Sequence, residues 1–341
     1  MLNTKITQNY GLKAPIISAG MAFVATPPLA AAVSNAGGMG MLGAALVPPE
    51  GLSQMIQATH TLTHKPFGVD LITEFVTNEH IDVCITEKVA VVVFFWSLPQ
   101  SSWVKRLQTN GIRVWMEVGS VAEAIQAQEL GVDAIVAQGQ EGGGHNKAEA
   151  STFSLLPAIC KIVAPIPVIA AGGIIDGKSL VAALALGAEA VWCGTRFLTS
   201  FEANAHVQYK NRVLEANVGD TVRTTLFGTE WPGQMMRVIR NRVVKQWAGR
   251  ETEAMKLASA EETIGSTIIG GQTIPLPKFS VMLPTPETTG DFEEMGLTAG
   301  ESSGNITELK SAREIVEMMI DEAVKIIQSR LKLLVNSGIN E

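Results

Sequence analysis

The chain is poor in cysteine, in clustered positive charge and in long apolar runs. Three cysteines occur in 341 residues, Cys84, Cys160 and Cys193, and none forms a C-x-x-C pair. Neither a disulfide framework nor a zinc–thiolate site is indicated, no metal is expected, and a reducing cytoplasm is the expected setting. No Lys/Arg-rich run is present and the formal net charge is −7, which argues against nucleic acid or an anionic membrane as partner and for a small molecule. No stretch reaches the ~18 uninterrupted apolar residues of a membrane span. The nearest, Val89 to Phe95, has the length of a strand. Met1 to Thr7 lacks the basic and apolar regions of a secretory signal.

What is present is a rhythm. With 46% hydrophobic residues the chain can bury a large core, and short apolar runs alternate with helical patterns through the first two hundred residues. The runs are Pro15–Ser18, Gly40–Leu42, Phe67–Val69, Val89–Phe94, Arg113–Glu117, Ala134–Gln138, Pro167–Ala170 and Ala190–Cys193. Helix candidates between them include Pro28–Asn35, Gly51–Thr61, Ser102–Thr109, Val121–Leu130 and Lys178–Leu186, with Gly37, Gly111, Gly131 and Gly187 as stops. Strands and helices alternating in this way predict an α/β fold, a TIM (β/α)8 barrel over residues 1–200. From 201 to 298 the texture changes, with Trp231-Pro232-Gly233, Gly270-Gly271 and Pro284-Thr285-Pro286, which reads as an inserted cap over the barrel's top face. Residues 299–341 are expected to complete the barrel: a glycine-rich turn, then a helix over Ile306–Val335, whose apolar residues recur near helical spacing, packed back on it.

A parallel barrel presents its site at the C-terminal ends of its strands. The residues there are Gly20-Met21-Ala22, Asp70, Glu117, Gln138 to His145, Ala171-Gly172-Gly173-Ile174 and Gly194-Thr195-Arg196. Gly172-Gly173 and Gly194-Thr195 follow the seventh and eighth runs, where barrels commonly build a phosphate site from backbone N–H groups, so a phosphorylated ligand is expected there. His145 follows three glycines at a strand end, where an imidazole could exchange a proton near neutral pH, the alternative being a loop cap. Gln138 could read the edge of a flat heterocycle or be a buried amide tied to backbone. Asp70 could accept from a cofactor or cap the next turn, and Met21 could pack on a flat ring or fill core. His60 and His64 read as a solvated helix face rather than metal ligands, and His80 and His206 as ordinary polar positions.

Taken together these motifs resemble the nitronate monooxygenase family and its relative, the flavin-dependent enoyl-acyl carrier protein reductases. The resemblance runs from Pro15–Met21 through Pro66–Asp70, Gln138–His145, Ala170–Ile174 and Gly194–Phe197 to Trp231-Pro232 and Arg237–Asn241, with Ala299–Gly304 like the family's glycine-rich turn near the flavin. It implies an FMN-dependent barrel enzyme that oxidises alkyl nitronates with O2 to carbonyl compounds and nitrite. His145 would be its catalytic histidine, deprotonating a nitroalkane or orienting a nitronate. Gly20, Met21, Asp70, Gln138, Gly143, Gly172, Gly173, Cys193, Gly194, Thr195, Gly300 and Ser302 would form its cofactor site. The chain departs from the family pattern at Asp70, where Asn is usual, at Trp192, where Gln is frequent, and in the extra glycine of Gly142-Gly143-Gly144-His145-Asn146. Two other functions fit the same motifs: an NAD(P)H-dependent reductase of a quinone or enoyl thioester, and a flavin-binding protein without catalysis. Oligomeric state is left open.

Overall fold

The structure, a computed structural model, describes residues 2–257 and 262–336. Eight parallel strands form its centre: β1 (Ile16–Ser18), β2 (Gly40–Gly43), β3 (Phe67–Ile72), β4 (Val91–Phe95), β5 (Arg113–Val118), β6 (Ala134–Gln138), β7 (Val168–Ala171) and β8 (Ala190–Cys193). Each pairs in parallel with its neighbours, β8 pairs with β1, and a parallel bridge between Ile17 and Met39 joins β1 to β2. The expected barrel is therefore present, with strand bounds within three residues of those read from the apolar runs. The four glycine stops all adopt positive φ, from 79° to 105°, the left-handed conformation that glycine takes without a Cβ penalty.

The strand registers sort the inward side chains into layers of four drawn from alternate strands, the packing of a filled barrel. Ile17, Gly68, Trp115 and Ile169 make one layer; Met41, Val93, Val136 and Trp192 lie above it. The next layer up contains Ala19, Asp70, Glu117 and Ala171, and there the apolar filling stops. Two alanines leave space and two carboxyls line it. The lower end is closed by the helix Lys5–Tyr10 and the turn after it, which add Ile6, Tyr10 and Leu12 to the inner apolar cluster. The Trp115 indole N–H donates to the Tyr10 hydroxyl at 2.8 Å, with the rings edge to face at 5.4 Å.

Beyond β8 the chain builds two antiparallel pairings. Strand β9 (Thr221–Thr224) pairs with β10 (Met236–Ile239), and β10 pairs in turn with Gly144–His145. Strand β11 (Thr263–Ile269) pairs with β12 (Gln272–Pro277). Leu226, Phe227, Val238, Val243, Trp247 and Phe279 form a small core of their own. Tyr209 and Val213, on the helix Val207–Leu214, instead join the outer core of the barrel.

The C-terminal helix begins later than its apolar spacing suggested. Residues Glu301–Asn305 form a 3-10 turn, and the α-helix starts at Ala312 rather than Ile306. Ser311 and Glu314 make a reciprocal capping box there, which satisfies two N–H groups that a helix start leaves open. Ala312, Ile315, Val316, Met319 and Ala323 bury the face that packs on the barrel helices Gly177–Ala185 and Pro27–Asn35. Positions 337–341 and 258–261 lie outside the described residues. Among the described residues no helix is long and apolar enough to cross a membrane.

Candidate active site

One deep cavity opens at the C-terminal ends of the strands, with about 1420 Å³ of atom-free space including its solvent mouth. Gly20, Met21, Asp70, Gln138, Gly143, His145, Gly172, Gly173, Gly194, Thr195, Gly300 and Ser302 all line it. Cys193 does not. In β8 alternate side chains face opposite ways, so Trp192 enters the barrel interior while the Cys193 thiol is buried in the outer core.

The walls converge through backbone contacts that only glycine permits. A Cβ on Gly143 would lie 2.5 Å from the carbonyl carbon of Ala299, and one on Gly20 would lie 2.5 Å from Oδ2 of Asp70. The Gly300 N–H donates to Oγ1 of Thr195 at 2.9 Å, tying the turn before the C-terminal helix to the end of β8. Gly172 and Gly173 have φ of 96° and 76°. The N–H groups of Gly173 and Ile174 have no acceptor among the described residues. That cradle suits a phosphate, since unpaired backbone N–H groups bind anions and glycine allows close approach.

Two further side-chain atoms point the same way. Oε1 of Gln138 and Nε2 of His145 are buried without a partner, a condition rare enough in folded proteins to call for a ligand or a functional reason. The other end of the Gln138 amide donates to the His145 carbonyl at 3.4 Å. A flat heterocycle bearing one phosphate fits this set of groups: amide and imidazole beside a ring, N–H groups for the phosphate.

His145 is set by its backbone and by aromatic rings. Strand β10 pairs Met236 with His145, and the Asn146 N–H donates to the Met235 carbonyl at 3.0 Å, so the segment beyond β8 holds the histidine loop directly. The imidazole lies 4.6 Å from Trp231 and 5.7 Å from Trp96, ring centroid to centroid. Phe75 and Phe95 extend the same aromatic wall. Burial lowers the His145 pKa to about 4, because an apolar surrounding penalises the cation. The ring is neutral at pH 7 and is a hydrogen-bonding group rather than a strong base.

Trp96 itself carries φ of 89°, a conformation costly for a residue with a Cβ. Its carbonyl accepts from the Lys147 ammonium, which also lies 5.4 Å from the indole centroid and pairs with Glu123 at 2.8 Å. Deeper in the wall, burial raises the pKa of Glu117 to about 8, with Lys147 opposing; burial, and then Glu117, raise Asp70 well above the usual carboxylate range. Asp70 caps no turn and turns inward from β3. Sequence reasoning gave no role to Glu117, and it missed Trp96, Phe75 and Phe95 altogether. His60 Nε2 donates to the Glu87 carbonyl at 3.0 Å, His64 lies past the helix end at Leu62, and no metal-holding cluster occurs among the described residues.

Comparison with known proteins agrees with this geometry. A family model described as nitronate monooxygenase matches residues 3–77 and 72–322. A probable nitronate monooxygenase of Staphylococcus aureus is 35% identical over 72% of this chain and 81% of its own length. A 5-hydroxy-7a-methyl-1-oxo-octahydro-indene-4-carboxyl-CoA dehydrogenase of Mycobacterium tuberculosis is 30% identical over 98% of this chain and 99% of its own. Among solved structures, FabK from Thermotoga maritima superposes with a TM-score of 0.82 at 33% identity, covering 98% of this chain and all of that one. A nitroalkane oxidase from Streptomyces ansochromogenes superposes with a TM-score of 0.78 at 25% identity, over 96% of this chain and 99% of its own.

Proposed function

This chain belongs to the nitronate monooxygenase family and is a flavin-dependent oxidoreductase, and from that premise we propose that it holds FMN and oxidises alkyl nitronates with O2 to carbonyl compounds and nitrite. The observation that carries the reading is Nε2 of His145, buried, unpartnered and neutral in an aromatic wall of the cavity. FMN supplies the electron-accepting chemistry when bound. Gly172, Gly173, Gly194 and Thr195 would hold its phosphate, and Gln138, Gly143, Met21 and the turn at Gly300 and Ser302 would enclose its ring.

The residues of this chain then bind and orient. A neutral imidazole with an N–H at Nε2 donates to an anionic oxygen, and a nitronate carries that charge before it enters. Burial would make proton abstraction from a neutral nitroalkane slow, because a base whose pKa has fallen to about 4 lies well below pH 7. Nitronates are therefore the proposed substrates rather than nitroalkanes. Trp96, Trp231 and Phe75 exclude water, which strengthens the bond from His145. The test is oxygen uptake on aerobic mixing with propyl nitronate or propionate 3-nitronate; no uptake with either sinks the reading.

A second reading has its own support. The wall formed by Leu46, Ile72, Val281 and Leu283 is apolar beyond what a small nitronate needs, and FabK and the CoA dehydrogenase match this chain over nearly its full length. An NAD(P)H-dependent reductase of an enoyl thioester would use that surface. Anaerobic addition of NADH or NADPH separates the two, since rapid bleaching of the flavin supports the reductase.

A further inference from the structure

Asp70 and Glu117 stand next to each other in one barrel layer, on the inward faces of β3 and β5 with β4 between them. Beneath them lies a wholly apolar layer, Met41, Val93, Val136 and Trp192. The other two members of their own layer are alanines, which offer neither a donor nor a charge. Both carboxyls line the cavity. Neither accepts a hydrogen bond or an ion pair from any described residue, and the backbone of Gly20 is packed against Asp70.

The charges around them are otherwise engaged. Lys147 is the cation whose charge acts on Glu117, but it is held by Glu123 and by the Trp96 carbonyl. Glu141, on the loop after β6, accepts from the N–H and hydroxyl of Thr152 at about 3 Å. Glu230 accepts from Ser280 and from the Val281 N–H. His145 is neutral. Two adjacent carboxylates on an apolar floor, with no donor directed at either, cannot both ionise cheaply, since like charges in a poorly solvated site each disfavour the other.

We propose that Asp70 and Glu117 form one proton-sharing carboxyl pair in the cavity wall, holding a single negative charge through the neutral range and presenting an O–H donor beside a carboxylate acceptor to the bound ligand. An edge that alternates N–H and C=O, as a flavin's pyrimidine ring does, is the chemical class that such a pair complements. This last step rests on the flavin reading; the shared proton does not. The alternative, two independently ionised carboxylates, would place a double charge in the wall with acceptors only.

The pair is tested on protein carrying 13C-carboxyl Asp and Glu, followed by NMR against pH, with Asp70→Asn and Glu117→Gln to assign the signals. Both variants keep side-chain shape. A proton-sharing pair loses its protons in two steps at least about one pH unit apart, which belong to the pair rather than to either residue. In each single variant the remaining carboxyl then titrates in one step at lower pH than the upper step of the pair. If each surviving step stays where it was in the parent protein, the two groups are independent and the proposal is overturned. The ligand-facing half is read from the visible spectrum of bound FMN, which shifts across the upper step in the parent protein and not in Asp70→Asn/Glu117→Gln. Coupled titration with an unresponsive spectrum overturns that half. Failure to retain FMN at all would strike the functional reading instead, so the two failures are distinguishable.

Discussion

The imidazole of His145 and the indole of Trp231 lie 4.6 Å apart with their planes inclined at 47°, although 86 positions separate them in the chain (231 − 145). The pairing of β10 with Gly144–His145 brings them together. It places Nε2 of His145, buried without a partner, between the barrel and the segment beyond β8.

Replacing His145 with Asn should lower kcat/KM for a nitronate by about 10²-fold, the typical loss when one donor to a developing or fixed oxyanion is removed. FMN should stay bound, because the phosphate cradle is untouched. Stopped-flow oxygen consumption with flavin content measured in parallel checks both parts; unchanged turnover would falsify the role given to Nε2.

The same residue makes stability depend on acid. The folded-state pKa of His145 is lowered to about 4 from an unfolded value of ~6.5. Between those values the unfolded chain binds more protons than the folded one, so this contribution is present above pH ~6.5 and is lost as pH falls toward 4. Melting temperature should therefore drop more steeply over that window in the parent protein than in His145→Asn. Parallel slopes in the two proteins would count against the burial assigned to the ring.

Gly143→Ala should destabilise the chain by roughly 1–3 kcal/mol, the usual cost of forcing atoms into a packed site, and should release FMN. Its new Cβ meets backbone at 2.5 Å, whereas a Cβ on Gly194 finds its nearest neighbour at 3.7 Å. Gly194→Ala should accordingly fold normally. Urea midpoints for the pair of variants, with flavin retention, measure the contrast.

Lys147→Met removes the ammonium from the Trp96 carbonyl and leaves Glu123 with no ion-pair partner, only the Gly119 N–H. A loss of about 1–3 kcal/mol is expected for a partly buried acceptor and an ion left unpaired. Trp96, no longer held at positive φ, should relax toward ordinary backbone. Tryptophan emission should shift to the red even at temperatures where the protein stays folded, and an unchanged spectrum would argue against the clamp.

Much of the barrel was legible because each strand is a short apolar run that ends at a turn, and the site residues fall at run ends. Gly172-Gly173 and Gly194-Thr195 could be placed by strand ordinal alone. The C-terminal helix start was misread from apolar spacing, although Ser311 and Glu314 carried the capping signal. Cys193 was misassigned because a run of four buried residues does not reveal which alternate positions face the barrel interior. Of the aromatic wall, only Trp231 was legible. Phe75, Trp96 and Trp231 are brought together by non-local pairing, and nothing in the sequence near Trp96 announces a bulky residue in left-handed backbone. Glu117 was visible as a strand end, but its importance depends on sharing a layer with Asp70, which only the strand registers define.

The helix Lys5–Tyr10, sealed onto the barrel floor by the Tyr10 to Trp115 contact, has a kinetic consequence. Among the described residues the lower end is filled, so a ligand reaches the cavity from the C-terminal ends of the strands. On the proposed reading, a bulky product would have to leave on the side by which the next organic molecule enters.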